Sequence, residues 1–180
     1  MKKIFITGVA GMIGSNLAAF FVSEGYEVLG LDNLWRGKKA NLGNKLIQSQ
    51  NFEFRHIDIS LDRSWWGEVD GSSIIIHAAD IVAGIDYVFS NEWSIFKKNI
   101  EINSVMAELI SEMKPEKFIY LGTACSYPQS MQRSAFNSGL SENDKFPADP
   151  ESGYGWSKLI GEIEYNLVIK GINTQLITLD

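Results

Sequence analysis

The 180-residue sequence predicts an α/β fold: a doubly wound parallel sheet with helices on both faces. Three observations predict it. Short apolar runs alternate with longer segments of helical period along the chain. The first run, Ile4 to Ile6, leads into three glycines spaced three apart, Gly8, Gly11 and Gly14. The second, Glu27 to Asp32, ends on a carboxylate 18 residues beyond Gly14.

Each glycine has a physical task in a strand-turn-helix unit. Gly8 lets the chain leave the strand at backbone angles a side chain resists. Gly11 lets the backbone approach a pyrophosphate, and Gly14 lets the helix pack hard on the sheet. Phosphates then meet free N–H groups and the positive end of the helix dipole. Asp32 stands where a dinucleotide fold places the acid for the adenosine ribose hydroxyls. Capping a turn with Asn33 is the plainer use of the same carboxylate.

Helix Met12–Glu24 is expected to bury Ile13, Leu17, Phe20 and Phe21, with Gly25 as its C-terminal cap. Residues 33–50 are polar and partly helical, with Arg36 and Lys38 read as solvated loop charges. Asn51–Ile57 reads as a third strand, followed by Asp58 and by Ile59, an apolar neighbour for an adenine ring. His56 is read as a strand-end residue. Leu61–Glu68 is expected to be a short helix carrying Trp65 and Trp66. Ser73–Ile76 is a fourth strand delivering His77, Ala78, Ala79 and Asp80 to the same edge.

Ile81–Phe89 is expected to be a loop, and Glu92–Met113 a helix in which Asn99 is polar amid apolar spacing. Pro115 ends that helix before a fifth strand, Lys117–Leu121. Residues 122–150 lack periodicity and hold three of the four prolines, the mark of a functional loop. A helix opens at Ser152 or Gly153 and runs to Lys170, and Asn173–Leu179 closes the set as a sixth strand.

Composition narrows the class. A 45% hydrophobic, 21% charged chain is an ordinary globular one, here read as a single domain over 1–180. A net charge of −6 with no basic run gives no nucleic-acid surface. No apolar stretch reaches membrane-spanning length, so no membrane partner is expected. The apolar run after Lys2 and Lys3 breaks at Thr7-Gly8, too early for a secretory signal. Cys125 is the single cysteine, which makes a reducing cytoplasm the expected setting. No metal-ligating set is assigned.

Two segments carry chemistry. Thr123 and Cys125 follow the fifth strand, and Tyr154 and Lys158 open the last helix four residues apart, on one face. A tyrosine phenol titrates near 10, about three units too high for a base at neutral pH. Closing that gap takes about 4 kcal/mol. A neighbouring Lys158 ammonium and a cationic nicotinamide can supply it in a partly dry cleft. Thr123 would hydrogen-bond the substrate hydroxyl.

The ordered set of glycine turn, ribose acid, small-residue strand end, hydroxyl and Tyr-Lys pair resembles the extended short-chain dehydrogenase/reductase family, the NAD-dependent sugar-nucleotide epimerases and dehydratases. Thr7 to Gly14 matches its phosphate turn, Asp32-Asn33-Leu34 its ribose strand end, Asp58-Ile59 its adenine contact and His77-Ala78-Ala79 its fourth-strand signature. Asn99 sits where the family has a fourth-helix asparagine. The resemblance implies a Rossmann-type domain with NAD, rather than NADP, as cofactor, since Asp32 would repel a 2′-phosphate. It implies cofactor contacts from Gly8, Gly11, Met12, Ile13, Gly14, Asp32, Asn33, Asp58, Ile59, Ala78, Ala79, Asn99, Tyr154 and Lys158, and catalysis by Thr123, Tyr154, Lys158 and Cys125.

Ala78-Ala79-Asp80 and Thr123 to Pro128 look most like the GDP-mannose 3,5-epimerase and GDP-fucose synthase branch, in which a cysteine at the place of Cys125 exchanges protons beside a transient ketone. A space-filling Cys125 is the plainer reading. Thr123-Ala124-Cys125 argues against a 4,6-dehydratase, which has Thr-Asp-Glu there; a 4-epimerase needs no extra acid or base and stays open. So does a non-catalytic dinucleotide binder that senses redox state. Ile102-Asn103-Ser104-Val105 departs from the family's Gly-Thr-x-Asn, so packing there is expected to differ. The family also implies a nucleotide-sugar substrate, a homodimer through a four-helix bundle of 92–113 and 152–170, and a substrate region beyond the sixth strand.

Overall fold

The computed structural model describes residues 2–132 and 139–180. Strands β1 (Lys3–Thr7), β2 (Glu27–Asp32), β3 (Phe52–His56), β4 (Ile74–His77), β5 (Lys117–Leu121) and β6 (Gln175–Leu179) form one sheet. Every pairing is parallel, and the order is β3-β2-β1-β4-β5-β6. That is the Rossmann-type strand order, which reverses direction between β1 and β4 and opens a crevice at their carboxyl ends. The helices are α1 (Met12–Ser23), α2 (Gly43–Ile47), α3 (Ile85–Ser90), α4 (Glu92–Met113), α5 (Gln129–Gln132) and α6 (Gly153–Val168).

Side chains alternate along each strand, so the sheet carries two cores. Phe5, Leu29, Leu31, Ile75, Phe118 and Tyr120 point to one face, where α4 and α6 supply Ile102, Met106, Leu109 and Tyr165. Ile4, Ile6, Val28 and Ile76 point to the other and meet Ala18 of α1 and Leu46 of α2. Burial on both faces explains why β1, β2 and β4 read as nearly unbroken apolar runs.

Three expectations are corrected. Helix α1 buries Gly14, Ser15 and Ala18 rather than the larger set; Leu17 and Phe21 are partly buried, while Ile13 and Phe20 face outward. The helix lies so close to the turn below it that only small residues fit. A Cβ on Gly14 would enter the carbonyl of Gly8.

Leu61–Glu68 is not a helix but a series of turns with one 3₁₀ turn, Trp66–Glu68. Asp58 Oδ1 accepts the Ser60 N–H at 3.0 Å, and Asp62 Oδ1 accepts the Ser64 N–H at 2.8 Å. Such side-chain bonds compete with helical ones. Trp65 and Trp66 are buried regardless. Within the expected loop Ile81–Phe89, α3 begins after Gly84.

The remaining boundaries move by a few residues. Gly25 takes a left-handed φ of +87°, which suits its place just past α1. Helix α4 ends with Lys114 in the left-handed region, its N–H donating to Ile110 O at 3.0 Å. Helix α6 stops at Val168, two residues short of its predicted end, and β6 starts at Gln175. The aperiodic segment 122–150 holds α5 and two 3₁₀ turns, Ala124–Ser126 and Glu142–Lys145; its residues 133–138 lie outside the described residues.

Candidate active site

A cavity of about 450 Å³ lies over the carboxyl ends of β1, β2 and β4. Gly8, Gly11, Met12, Ile13, Gly14, Asp32, Asn33, Asp58, Ile59, Ala78 and Ala79 all line it. The strand ends fix the floor. Thr7 Oγ1 accepts the N–H groups of both Ala78 and Ala79 at 3.2 Å, drawing the β1 and β4 termini together. Gly8 then turns away at φ +69°, where a Cβ would stand 2.6 Å from Ala78 O.

The group such a cavity would hold can be tested on its polar atoms. Gly11 is the N-cap of α1 and no side chain caps it, so the first-turn N–H groups remain open for an anion. A Cβ on Gly11 would press on Gly8 O at 3.2 Å with no other neighbour within 4 Å, and Gly11 lines the cavity. Asp32 Oδ2 accepts the Ala10 N–H at 2.9 Å, and Oδ1 the Leu34 N–H at 2.7 Å. The carboxylate therefore braces the glycine turn and caps the β2 turn at once, with lone pairs left for further donors.

Burial alone would raise the Asp58 carboxyl; the Ser60 and Asn33 hydrogen bonds and the Lys98 charge outweigh it and hold the group below the usual range. An uncapped helix start and two acceptor carboxylates on one cleft fit a dinucleotide's phosphates and ribose. Arg36, expected as a solvated charge, reaches across the opening and donates to Val82 O. Beside it the Trp35 and Tyr87 rings meet at 6.1 Å between centroids.

Asn99 is placed differently from expectation. It lies at zero exposure and is not in the cavity wall. Its Oδ1 accepts the Ile81 N–H at 2.7 Å, and its Nδ2 donates to Ile81 O at 3.2 Å and Ser157 Oγ at 3.3 Å. It ties the chain after β4 to α6. Asn103, in the departure from the family pattern, donates to Ser157 O at 3.1 Å and accepts from the Tyr165 hydroxyl at 3.1 Å.

Thr123, Cys125, Tyr154 and Lys158 stand beyond the Asp80 end of the cavity rather than in its wall. Helix α6 starts at the right point because Ser152 Oγ accepts the Gly155 N–H at 3.3 Å. Gly155 is required there, since a Cβ would enter the Cys125 carbonyl. That contact presses the start of α6 onto the segment after β5. It sets Tyr154 within hydrogen-bonding reach of Thr123, an interaction that favours the phenolate. Thr123 Oγ1 also accepts the Cys125 N–H at 3.2 Å, and the Cys125 thiol is exposed.

The electrostatics differ from the sequence expectation. Lys158 Nζ lies 2.5 Å from Asp80 Oδ2 and 4.1 Å from the centre of the Tyr120 ring. Burial pushes the Asp80 carboxyl up, and the Lys158 charge opposes that. The Tyr154 phenol is also raised, first by burial, then by the charges of Asp80 and Cys125, with Thr123 pulling the other way. Burial, followed by the Asp80 charge, holds the phenol away from neutrality, and Thr123 is the neighbour that lowers it. The sequence reading brought Asp80 to this edge and used it in a branch signature but gave it no role beside Lys158; a carboxylate directly after a small-residue strand end was the available signal.

The family model for the NAD dependent epimerase/dehydratase family matches residues 4–176. The chain belongs to that family. GDP-mannose 3,5-epimerase of Arabidopsis thaliana is 30% identical over 162 residues, covering 89% of this chain and 41% of its own length. UDP-glucuronate 4-epimerase of Thermodesulfobacterium geofontis is 33% identical over 133 residues, covering 71% and 41%. A mutant UDP-glucuronic acid 4-epimerase from Bacillus cereus, solved in complex with NAD, superimposes with a TM-score of 0.74 at 27% identity, covering 98% of this chain and 55% of its own. The chain thus spans about two fifths of the curated relatives' length. No helix among the described residues is long and apolar enough to cross a membrane.

Proposed function

We propose that this family member is the cofactor-binding part of an NAD-dependent sugar-nucleotide epimerase or reductase that works through a transient keto-sugar. The observation that carries the reading is the Asp80 contact. It joins the cavity built on the glycine turn to the Tyr154-Lys158 pair, so both halves of the proposed chemistry share one edge of the sheet.

NAD, when bound, supplies a hydride acceptor and donor. The open N–H groups of α1 hold its phosphates, Asp32 its adenosine ribose, and Asp58 and Ile59 flank the adenine end. Asp32 disfavours a 2′-phosphate, which makes NAD the preferred dinucleotide over NADP. Thr123 orients the substrate hydroxyl and Tyr154 takes its proton, with Lys158 supporting the phenolate. Cys125, exposed two residues past Thr123, moves a proton on the carbon beside the ketone.

The substrate is a nucleotide-sugar, and the setting is cytoplasmic. The protein acts as a homodimer through α4 and α6, whose outward faces carry Trp93, Ile163 and Leu167. A 4-epimerase is the second reading, favoured by the likeness to a UDP-glucuronate 4-epimerase. The full-length protein decides. Tyr154→Phe should abolish turnover while NAD still binds, and unchanged turnover rejects the assigned base. Cys125→Ala should stop a 3,5-epimerisation but spare a 4-epimerisation.

A further inference from the structure

Lys145 is nearly sealed from solvent and takes no part in the site described above. Its side chain is 5% exposed. The Ser141 N–H donates to Asp144 Oδ2 at 2.8 Å, closing the turn that sends Lys145 inward. There Nζ lies 2.5 Å from Glu162 Oε2 and 2.6 Å from Asp180 Oδ2, with the Tyr127 ring centre at 5.4 Å. Burial would lower its pKa, but the two carboxylates outweigh burial and raise it, so the ammonium stays charged.

The two carboxylates belong to different parts of the fold. Glu162 is on α6, one turn beyond Lys158 and two beyond Tyr154. Asp180 directly follows β6, and its Oδ1 accepts the Thr123 N–H at 3.2 Å while Oδ2 accepts the Tyr127 hydroxyl at 3.3 Å. The Gly122 N–H donates to Leu179 O at 2.6 Å, so the whole start of this segment is fixed to the end of β6. Thr123 then holds Cys125 through its Oγ1 and Ser126 through its carbonyl, the latter at 2.7 Å.

We propose that Lys145 is a positioning residue: through Asp180 it fixes the Thr123–Cys125 backbone at a set distance from the helix that carries Tyr154. One ammonium links the two. Without it, two carboxylates brought to the same point repel each other, and Asp180, at the end of β6, is pushed away from the Thr123 N–H. The exposed Cys125 and the Thr123 hydroxyl then lose their fixed relation to the phenol. Chemistry that depends on near-attack geometry is sensitive to such a shift.

The proposal rests on the reading of Thr123, Cys125 and Tyr154 as reacting groups, yet its first test does not. The alkylation rate of Cys125 by iodoacetamide, followed on its own peptide by mass spectrometry, reports the segment directly. Lys145→Met should change that rate several-fold and Lys145→Arg should restore it. In the full-length protein, Lys145→Met should lower kcat by about 10- to 100-fold, with KM and NAD affinity nearly unchanged. Should Lys145→Met fail to fold, Asp180→Asn, which keeps a polar side chain at the Thr123 N–H, should shift both readouts in the same direction. Cys125 reactivity unchanged in the folded variants would overturn the proposal, whatever happens to turnover. Altered reactivity in a protein indifferent to Tyr154→Phe would uphold the tether and reject only the catalytic reading.

Discussion

Lys158 Nζ and Asp80 Oδ2 stand 2.5 Å apart with both side chains almost wholly withdrawn from solvent, at 5% and 7% exposure. The pair stands beside the Tyr154 phenol, whose ionisation Asp80 opposes. Removing either partner leaves a buried, uncompensated charge. Asp80→Ala and Lys158→Met should each destabilise the fold by about 3 kcal/mol in urea denaturation. The double variant Asp80→Ala/Lys158→Met should cost clearly less than the sum. Strict additivity in that cycle would show that the two charges do not interact.

Loss of the Asp80 charge should also reach Tyr154. In Asp80→Asn the phenol should ionise at lower pH than in the parent protein. The tyrosinate absorbance that disappears on adding Tyr154→Phe isolates its titration. An unmoved midpoint would show that the Asp80 charge does not act on the phenol.

His77 makes stability sensitive to acid. Burial, followed by the Lys158 charge, lowers its imidazole from 6.5 to about 3, against a contribution from Asn103 in the other direction. Its Nδ1 is paired with Thr7 Oγ1 at 2.7 Å, beneath the glycine turn. Between these two values the unfolded chain binds the proton that the folded one refuses. Stability is therefore full above pH 6.5 and falls as pH drops through that window. The loss between pH 7 and pH 5 should be about 2 kcal/mol. His77→Gln should flatten this part of the denaturation profile; an equally steep profile in the variant would assign the effect to other groups.

The glycines of the opening turn should separate folding from binding. Gly11 has ordinary extended backbone angles and lines the cavity. Gly11→Ala crowds the Gly8 carbonyl at 3.2 Å and replaces a favourable N-cap, so it should cost about 1 kcal/mol or less of stability while lowering NAD affinity about tenfold or more in calorimetry. Gly14→Ala drives its methyl into the Gly8 carbonyl and should cost roughly 1–3 kcal/mol of stability. Equal NAD affinity in Gly11→Ala would show that phosphate does not approach this backbone.

Dimerisation can be tested on the outward faces of α4 and α6. Trp93 is 73% exposed and Leu167 57% in the single chain. Large apolar side chains exposed on adjacent helices suit burial against a second copy. Sedimentation should show a dimer for the parent and a monomer for Trp93→Glu/Leu167→Glu. A parent that stays monomeric at high concentration contradicts the bundle.

The amino-acid pattern by itself determined the sheet and the crevice at its carboxyl edge. Strands buried on both faces leave unbroken apolar runs, and a turn packed tightly against a strand end and a helix leaves glycines at fixed spacing, so Ile4–Gly14, Glu27–Asp32 and Ser73–Ala79 are legible locally. Local turn chemistry near Asp58 and Asp62 was harder to read, because the same residues serve helix starts and side-chain turns. Only the tertiary structure paired Lys158 with Asp80, joined Lys145 to Glu162 and Asp180, and moved Asn99 from the cavity to the chain behind it. Those relations join residues far apart in the chain. Their energies depend on burial and on distances of a few ångströms, quantities that sequence spacing does not encode.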